Sequence, residues 1–148
     1  MNRNASVTWS GSARDGRGTF RVGSGALTAP FTYNSRFRGD SETNPEELLL
    51  SALAGCLTMA MAAALQEGKG GGAEIETSAE LDLVPHESGG YRIPSLRLEI
   101  AVAGGGSQDE LDLALGRAIE MCPICNALAG TDIRVTVLPA PAAGTVPT

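Results

Sequence analysis

The chain has 148 residues, of which 19% are charged, with a formal net charge of −6, three cysteines and one histidine. This length predicts one domain, which we place at residues 1–138, before a Pro/Ala/Gly-rich tail over 139–148 that we expect to be disordered. The acidic balance, with no run of Lys or Arg, argues against nucleic acid and membrane as partners. With no signal-peptide pattern, three cysteines indicate a reducing compartment, so we expect a cytoplasmic protein.

The first third of the chain has the pattern of short β-strands separated by turns. Turn residues such as Arg14-Asp15-Gly16 favour a meander of hairpins. Residues Pro30–Asp40 are then predicted to form a loop or extended segment that carries Arg36 and Arg38. The predicted strands are Ser6–Trp9, Gly18–Val22 and Gly25–Ala29.

A long apolar helix is predicted over Thr43–Leu65, with Cys56 inside it. Asn44 suits the cap, Pro45 suits the first helical position, and Glu46 lies at the positive end of the helix dipole. From Leu48 to Leu65 the helix is apolar or small apart from two hydroxyl side chains, so it should be buried on every side. Its length touches that of a membrane span, but its Ala- and Gly-rich composition and acidic start favour a core helix of a soluble protein.

The middle of the chain predicts a two-stranded antiparallel hairpin. Ile75–Val84 alternates apolar and polar residues with a period of two, and Tyr91–Val102 does so less regularly, which is typical of strands with one wet face. The turn between them is His86–Gly90, and its histidine is most simply an exposed turn residue. A glycine-rich connector, Glu67–Ala73, separates this hairpin from the long helix.

A second helix, a proline break and a final strand complete the predicted elements. The helix begins at Ser107, which has capping-box spacing to a glutamate three residues later. Pro123 should end it, so that Cys122 lies at the start of a new helical segment, Pro123–Ala129. With Asp132–Leu138 as the last strand, the strands are clustered rather than alternating one by one with helices, which predicts an α+β fold.

The reactivity of each cysteine depends on what lowers its pKa, because the thiolate is the nucleophile. Cys122 has the free N–H groups of the following helical segment, worth roughly 0.3–1 kcal/mol. Cys56 has no such help in mid-helix, where burial alone would raise its pKa. An arginine about 4 Å away would contribute roughly 4 kcal/mol, about three pKa units, and outweigh that burial. The available candidates are Arg36 and Arg38.

The spacing between Glu46 and Cys56 bears on the number of subunits. The two residues are ten positions apart, which is about 15 Å along a helix. The helix start and the segment before it therefore cannot easily reach Cys56 of their own chain. If Arg36 and Glu46 serve Cys56, the simplest geometry brings them from a second subunit whose long helix packs antiparallel to the first. The sequence thus predicts a homodimer with two sites at its interface.

Two other interpretations of the cysteines remain open. The run Cys122-Pro123-Ile124-Cys125 could be a thioredoxin-like CxxC motif, although such motifs follow the first strand of a βαβ unit and this one follows a helix. A structural zinc site would need two further ligands, and only Cys56 and His86 could supply them.

The segment Asn34–Cys56, NSRFRGDSETNPEELLLSALAGC, closely resembles the OsmC/Ohr family of hydroperoxide reductases. Cys122-Pro123 follows about 65 residues later, before a NALAG-TDIRVTV ending, and the N-terminal WSGSARDGRGTF run is similar too. The resemblance extends from about residue 6 to residue 138. The arginine in the SRF loop indicates the OsmC branch rather than Ohr proper.

The resemblance implies roles for four residues. Cys56 matches the peroxidatic cysteine, whose thiolate attacks the peroxide and becomes a sulfenic acid, and Cys122 matches the resolving cysteine, which condenses with it to a disulfide. Arg36 matches the arginine that stabilises the thiolate, and Glu46 the carboxylate that orients this arginine. Cys125 is a departure, since relatives usually have serine or another non-thiol there. It is either a small hydrophobic residue or a thiol that exchanges disulfides with Cys122.

For the whole protein, the resemblance implies an intertwined α+β homodimer with central helices packed against antiparallel sheets. Its chemistry needs no metal, haem or flavin cofactor, and an external dithiol, for some members a lipoylated protein, completes turnover. We therefore predict a cysteine-dependent peroxidase that reduces organic hydroperoxides, and hydrogen peroxide less well, to alcohol and water. The alternative is a non-catalytic redox sensor or small-ligand-binding protein on the same fold.

Overall fold

The computed structural model describes residues 1–67 and 72–140, which form helices and strands in an α+β order. The described residues divide into two compact units, one of residues 1–49 and one of the described residues from 50 onward. One domain over 1–138 stays a prediction. Residues 68–71 of the predicted connector and 141–148 of the predicted tail lie outside the described residues.

The first unit contains a three-stranded antiparallel sheet made of β1 (Ala5–Ser10), β2 (Arg17–Val22) and β3 (Thr28–Thr32), in that order. The predicted strands Ser6–Trp9 and Gly18–Val22 are confirmed by β1 and β2. The third strand lies later than the predicted Gly25–Ala29, because Gly25 belongs to the turn. Gly25 has a φ of +78°, and its N–H donates to the carbonyl of residue 22 at 2.9 Å.

A short helix, α1 (Tyr33–Phe37), follows the sheet. It begins with a capping box in which Thr32 Oγ1 accepts from the N–H of Ser35 at 3.1 Å and Ser35 Oγ accepts from the N–H of Thr32 at 2.9 Å. Ser35 Oγ also donates to the carbonyl of Thr43 at 2.9 Å, which anchors α1 to the start of the long helix. The prediction of a loop or extended segment over Pro30–Asp40 is wrong at Tyr33–Phe37 only, because a five-residue helix is too short to show a hydrophobic period.

The long helix, α2 (Pro45–Glu67), confirms the central prediction. Asn44 Oδ1 accepts a hydrogen bond from the N–H of Glu47 at 2.8 Å, as expected of the capping residue. Within the helix, Thr58 Oγ1 donates to the carbonyl of Ala54 at 2.7 Å, so this hydroxyl is satisfied without breaking the helix.

Within one chain, α2 is buried along one side only. Its opposite side is also apolar or small and remains exposed, with Met59 76% exposed. Burial on every side, as the composition predicts, is therefore not reached in a single subunit. The buried residues are Leu53, Leu57, Met61, Ala64 and Leu65, and those exposed on the other side are Ala52, Gly55, Met59 and Ala63.

Of the helices described, α2 alone is long and apolar enough to cross a membrane by length and composition. Its most apolar stretch of 18 residues has a mean hydropathy of 2.1, and 28% of that stretch is buried. Core helices of soluble proteins meet the same criteria, and the five buried residues of α2 belong to the main hydrophobic core.

The predicted hairpin in the middle of the chain consists of four strands. β4 (Glu74–Leu81) pairs antiparallel with β7 (Ser95–Ala103), and the short strands β5 (Val84–Pro85) and β6 (Tyr91–Arg92) pair beyond them. Two backbone hydrogen bonds close the turn at His86–Gly90. The antiparallel prediction is confirmed here.

The last strand, β8 (Asp132–Ala140), runs parallel to β7. A parallel pair needs a crossover connection, and α3 (Gln108–Met121) and α4 (Pro123–Ala127) supply it. The expectation of antiparallel sheets throughout is therefore wrong at this edge. β8 also ends at Ala140, so the first two residues of the predicted tail belong to the strand.

The core of the second unit lies between the sheet and helices α2 and α3. β7 is the central strand, and its alternate side chains are at most 4% exposed. Cys122, at the end of α3, is part of the same core. The strand and α3 contribute Leu96, Leu98, Ile100, Val102, Leu111, Ala114 and Ala118.

Candidate active site

Two free thiols from distant parts of the sequence meet in the second unit. The Cys122 thiol donates to the Cys56 sulfur at an Sγ–Sγ distance of 3.2 Å. α2 carries Cys56, which is half-buried, and the crossover carries Cys122, which is fully buried. A disulfide needs about 2.05 Å between the sulfurs, so a movement of about 1 Å would join them.

The position of Cys122 follows from the proline break. Cys122 ends α3 and caps α4, with an extended backbone at φ −79° and ψ 106°. Pro123 takes the first helical position, where its missing N–H is not needed. The Cys122 sulfur accepts a hydrogen bond from the N–H of Cys125 at 3.3 Å. The start of α4 thus holds this sulfur in place.

The pKa of Cys56 reflects opposing influences. Burial raises the pKa of this thiol most, the backbone N–H of Ile124 opposes the rise by donating to the sulfur, and the adjacent Cys122 thiol adds to the rise. The expectation that Cys56 has no N–H donor is wrong, because tertiary packing brings the first turn of α4 against α2. The net pKa is still raised, and no arginine or lysine among the described residues of this unit contributes to it.

The first unit contains a guanidinium–carboxylate pair. Arg36 Nε donates to Glu46 Oε1 at 2.7 Å, and Nη2 of the same arginine lies 2.6 Å from that oxygen. The Arg36 guanidinium also lies 5.1 Å from the ring centre of Phe37. Glu46 Oε2 is buried and has no hydrogen-bond partner among the described residues. Glu46 Oε1 therefore binds the Arg36 guanidinium, and Glu46 Oε2 has no donor among the described residues.

A largely apolar cavity of about 230 Å³ lies beside this pair. Trp9 and Phe31 pack with ring centres 5.3 Å apart, and Tyr33 and Phe37 pack at 4.7 Å. Gly18 lies beneath the Trp9 and Phe31 rings, where a Cβ atom would collide with both. The Arg36 side chain is the charged group of the lining.

The four predicted site residues thus form two pairs, one in each compact unit. Arg38, the other arginine considered, makes no ion pair with any described residue. His86 lies in its predicted turn, with Nδ1 2.6 Å from Ser88 Oγ. Within residues 1–67 and 72–140, no three His, Cys, Asp or Glu side chains are grouped as a metal site would require.

Sequence reasoning missed the aromatic cavity and the Ile124 N–H. The cavity has a local signal, since Phe31, Tyr33 and Phe37 surround Arg36 in the sequence. The N–H of Ile124 belongs to the predicted helical start after Pro123, but nothing in the spacing links it to Cys56.

Comparison with known proteins places this chain in a family. A family model described as OsmC-like protein matches residues 38–137. Peroxiredoxin OsmC of Escherichia coli (strain K12) is 32% identical over 130 residues, covering 86% of this chain and 90% of that protein. Peroxiredoxin OsmC of Shigella flexneri is equally similar.

Solved structures agree with the fold. The organic hydroperoxide resistance protein OhrB of Bacillus subtilis is similar with a TM-score of 0.72 and 24% identity, covering 91% of this chain and 98% of that one. An organic hydroperoxide resistance protein OsmC from Legionella pneumophila has a TM-score of 0.74 and 21% identity, with coverage of 90% and 96%.

The curated relatives and the family model define a cysteine-based peroxidase. The chain belongs to the OsmC-like family, which confirms the resemblance drawn from its sequence.

Proposed function

We propose that this protein reduces organic hydroperoxides, and hydrogen peroxide less well, to alcohol and water. The observation that carries the proposal is the 3.2 Å contact between the Cys56 and Cys122 sulfurs. The half-buried Cys56 is the thiol that a peroxide can reach, and the buried Cys122 lies directly behind it. A peroxidatic and a resolving cysteine need this arrangement.

The reaction proceeds in two steps on these sulfurs. The Cys56 thiolate attacks one peroxide oxygen, the O–O bond breaks, the alkoxide takes up a proton to leave as alcohol, and Cys56 becomes a sulfenic acid. The Cys122 sulfur then attacks the sulfenic sulfur, water leaves, and a Cys56–Cys122 disulfide remains. An external dithiol, such as a lipoylated protein, reduces this disulfide through a mixed disulfide.

Arg36 supplies the positive charge that Cys56 needs. Burial raises the pKa of Cys56 and a single N–H donor opposes it, so the thiolate requires a cation. Arg36 is held by Glu46 at 2.6 Å, which fixes the direction of its guanidinium. At about 4 Å and an effective dielectric near 20, the arginine would stabilise the thiolate by roughly 4 kcal/mol.

The functional unit is a homodimer in which Arg36 and Glu46 of one subunit serve Cys56 of the other. α2 is a continuous helix, and the ten-position separation of Glu46 and Cys56 corresponds to about 15 Å. The exposed apolar side of α2 provides a surface for a second copy of this helix. The unpaired Glu46 Oε2 can receive a donor in such an assembly.

The substrate class follows from the cavity beside Arg36. Its aromatic lining and volume of about 230 Å³ suit the organic group of an alkyl or aryl hydroperoxide, whereas hydrogen peroxide would leave it unfilled. We place the reaction in the cytoplasm, where dithiol reductants keep such cysteines reduced.

A peroxidase assay with excess dihydrolipoamide tests the proposal. We expect many turnovers with cumene hydroperoxide, slower turnover with hydrogen peroxide, and a loss to the uncatalysed rate in Cys56→Ser, because this variant lacks the nucleophile. Light scattering on the same sample should give the mass of a dimer.

The same assay separates an enzyme from a redox sensor. A sensor would stop once its own thiols are oxidised, even with dithiol in excess. Full activity in a monodisperse monomer would contradict the proposed site shared between two subunits. It would not contradict the proposed peroxidase chemistry of Cys56 and Cys122.

A further inference from the structure

The third cysteine has no role in the mechanism above, yet it touches the resolving residue. Cys125 is the third residue of α4 and is 7% exposed. Its N–H donates to the Cys122 sulfur at 3.3 Å. Cys122 therefore has one cysteine on each side, with the Cys56 sulfur at 3.2 Å and Cys125 along the first turn of α4.

The spacing of Cys122 and Cys125 suits a disulfide. Side chains three residues apart on a helix have Cβ atoms about 5–6 Å apart. A disulfide needs about 3.5–4.5 Å, so the pair must approach by roughly 1–2 Å. Cys122 is the capping residue and lies outside the regular helix, with an extended backbone. Rotation at this residue can supply the approach without unwinding α4.

Cys56 is the sulfur that leaves in the transfer: burial raises the pKa of its thiol overall, and the proposed Arg36 cation and a backbone N–H act against that rise. The N–H of Ile124 donates to it, which stabilises the negative charge that Cys56 acquires when a disulfide with Cys122 breaks. A better-stabilised thiolate leaves faster in thiol–disulfide exchange. The first turn of α4 thus offers N–H groups to both sulfurs of the proposed disulfide.

We propose that Cys125 accepts the disulfide from Cys56, so that oxidation moves from Cys56–Cys122 to a Cys122–Cys125 bond. This step rests on the function proposed above. The Cys125 thiol loses its proton to solvent, and its thiolate attacks the Cys122 sulfur. The Cys122–Cys125 bond forms as the Cys56–Cys122 bond breaks, and Cys56 leaves as a thiolate. One disulfide and one thiolate are present before and after, so no further oxidant or reductant is needed.

The transfer changes which sulfurs solvent can reach. In Cys56–Cys122 one sulfur is half-buried, whereas in Cys122–Cys125 both belong to buried residues. Exchange back to Cys56–Cys122 gives the external dithiol access to the disulfide, and in the absence of dithiol Cys56 is available to reduce a second hydroperoxide. Without reductant, each chain should therefore consume two equivalents of peroxide, the second leaving Cys56 as a sulfenic acid.

Peptide mapping after oxidation tests the transfer. The reduced protein receives one equivalent of cumene hydroperoxide, is alkylated and is digested with trypsin. Cleavage after Arg and Lys puts Cys56 in peptide 39–69 and both other cysteines in peptide 118–134. We expect alkylated Cys56 and a disulfide within peptide 118–134 in most chains. The Cys125→Ser variant, which keeps the backbone N–H to Cys122, should instead join the two peptides.

Peroxide titration without reductant gives the second readout. We expect two equivalents consumed by the native protein, with Cys56 then labelled by dimedone, and one equivalent by Cys125→Ser. Equal consumption by both proteins, with only peptides 39–69 and 118–134 joined, would overturn the transfer and leave the peroxidase proposal standing.

Oxidation with diamide separates the two proposals. If neither protein consumes peroxide, the peroxidase proposal and the transfer in its peroxide cycle both fail, and diamide shows which pair the fold prefers. In Cys56→Ser, diamide should produce the bond within peptide 118–134. Failure to form it in this folded variant would show that the pair cannot close, which also overturns the transfer.

Discussion

The two pairs of predicted site residues differ in how the chain brings them together. Arg36 and Glu46 are ten positions apart, and one short helix with its capping box suffices to join them. Cys56 and Cys122 are 66 positions apart and meet only because α2 and the crossover pack in one core. The charged pair is therefore a local product of the sequence, and the thiol pair is a product of the whole second unit.

The difference also concerns chemistry. The thiol pair has its own N–H donors and its resolving sulfur, but burial raises the pKa of Cys56 and no cation among the described residues lowers it. The charged pair has a fixed guanidinium beside an apolar cavity, but no nucleophile. Each pair holds what the other lacks, which is the reason to expect them to work together.

Removing the cation should have the largest effect. In Arg36→Met, we expect the reaction of Cys56 with cumene hydroperoxide at pH 7 to slow by roughly 100-fold, since loss of about 2–3 pKa units of stabilisation leaves less thiolate. Without the arginine, burial keeps the pKa of Cys56 raised, so alkylation of Cys56 should need a higher pH to reach half its maximal rate. Rates of iodoacetamide labelling from pH 5 to pH 10 measure this shift.

Arg38→Met is the matched control for that experiment. Arg38 lies two residues away and forms no ion pair with the described residues. The pH profile of Cys56 alkylation in Arg38→Met should therefore match that of the native protein. An unchanged profile in Arg36→Met would mean that the two pairs do not cooperate.

Loosening the arginine should have a smaller effect. Glu46→Gln keeps a hydrogen-bonding oxygen but removes the negative charge that holds the guanidinium. We expect kcat/KM for cumene hydroperoxide to fall about tenfold, equivalent to roughly 1.4 kcal/mol and typical of one charge-assisted hydrogen bond. Stopped-flow rates of Cys56 oxidation measure it. Glu47→Gln, at the exposed neighbour, should stay within twofold, and an equal loss there would indicate a general effect of charge.

The smallest effect should come from the cap of α2. Asn44→Ala removes the side chain that accepts from the N–H of Glu47, so we expect the free energy of unfolding to fall by about 1 kcal/mol. Urea unfolding measures this, with Asn34→Ala as a control whose side chain makes no hydrogen bond with the described residues. The rate of Cys56–Cys122 formation should not change, because that pair depends on the core of the second unit. A large change would show that the two pairs are less independent than their sequence separation indicates.

The sequence was informative where a local rule applied. Asn44 and Ser107 marked the starts of α2 and α3, and Pro123 marked the start of α4, because caps and proline act within a few residues. The short helix α1 and the exact bounds of β3 were not predicted, because each is set by turn geometry rather than by hydrophobic period. The parallel pairing of β8 with β7 was not predicted, because strand direction depends on where the crossover lies.

The same distinction applies to the site. The association of Arg36 with Glu46 was expected from the family resemblance, and their closeness in sequence makes the contact easy to form. The Ile124 N–H at the Cys56 sulfur could not be predicted, because it depends on the packing of α4 against α2. Spacing along the chain carries no information about that packing.

The chain has a single tryptophan, and it lies in the cavity beside Arg36. Trp9 is 40% exposed and packs against Phe31, so we expect its indole emission to change when a ligand enters the cavity. The protein thus has a built-in optical reporter in the unit that lacks the cysteines. Binding of an unreactive alcohol product could be followed by fluorescence alone, separately from any change in the thiols.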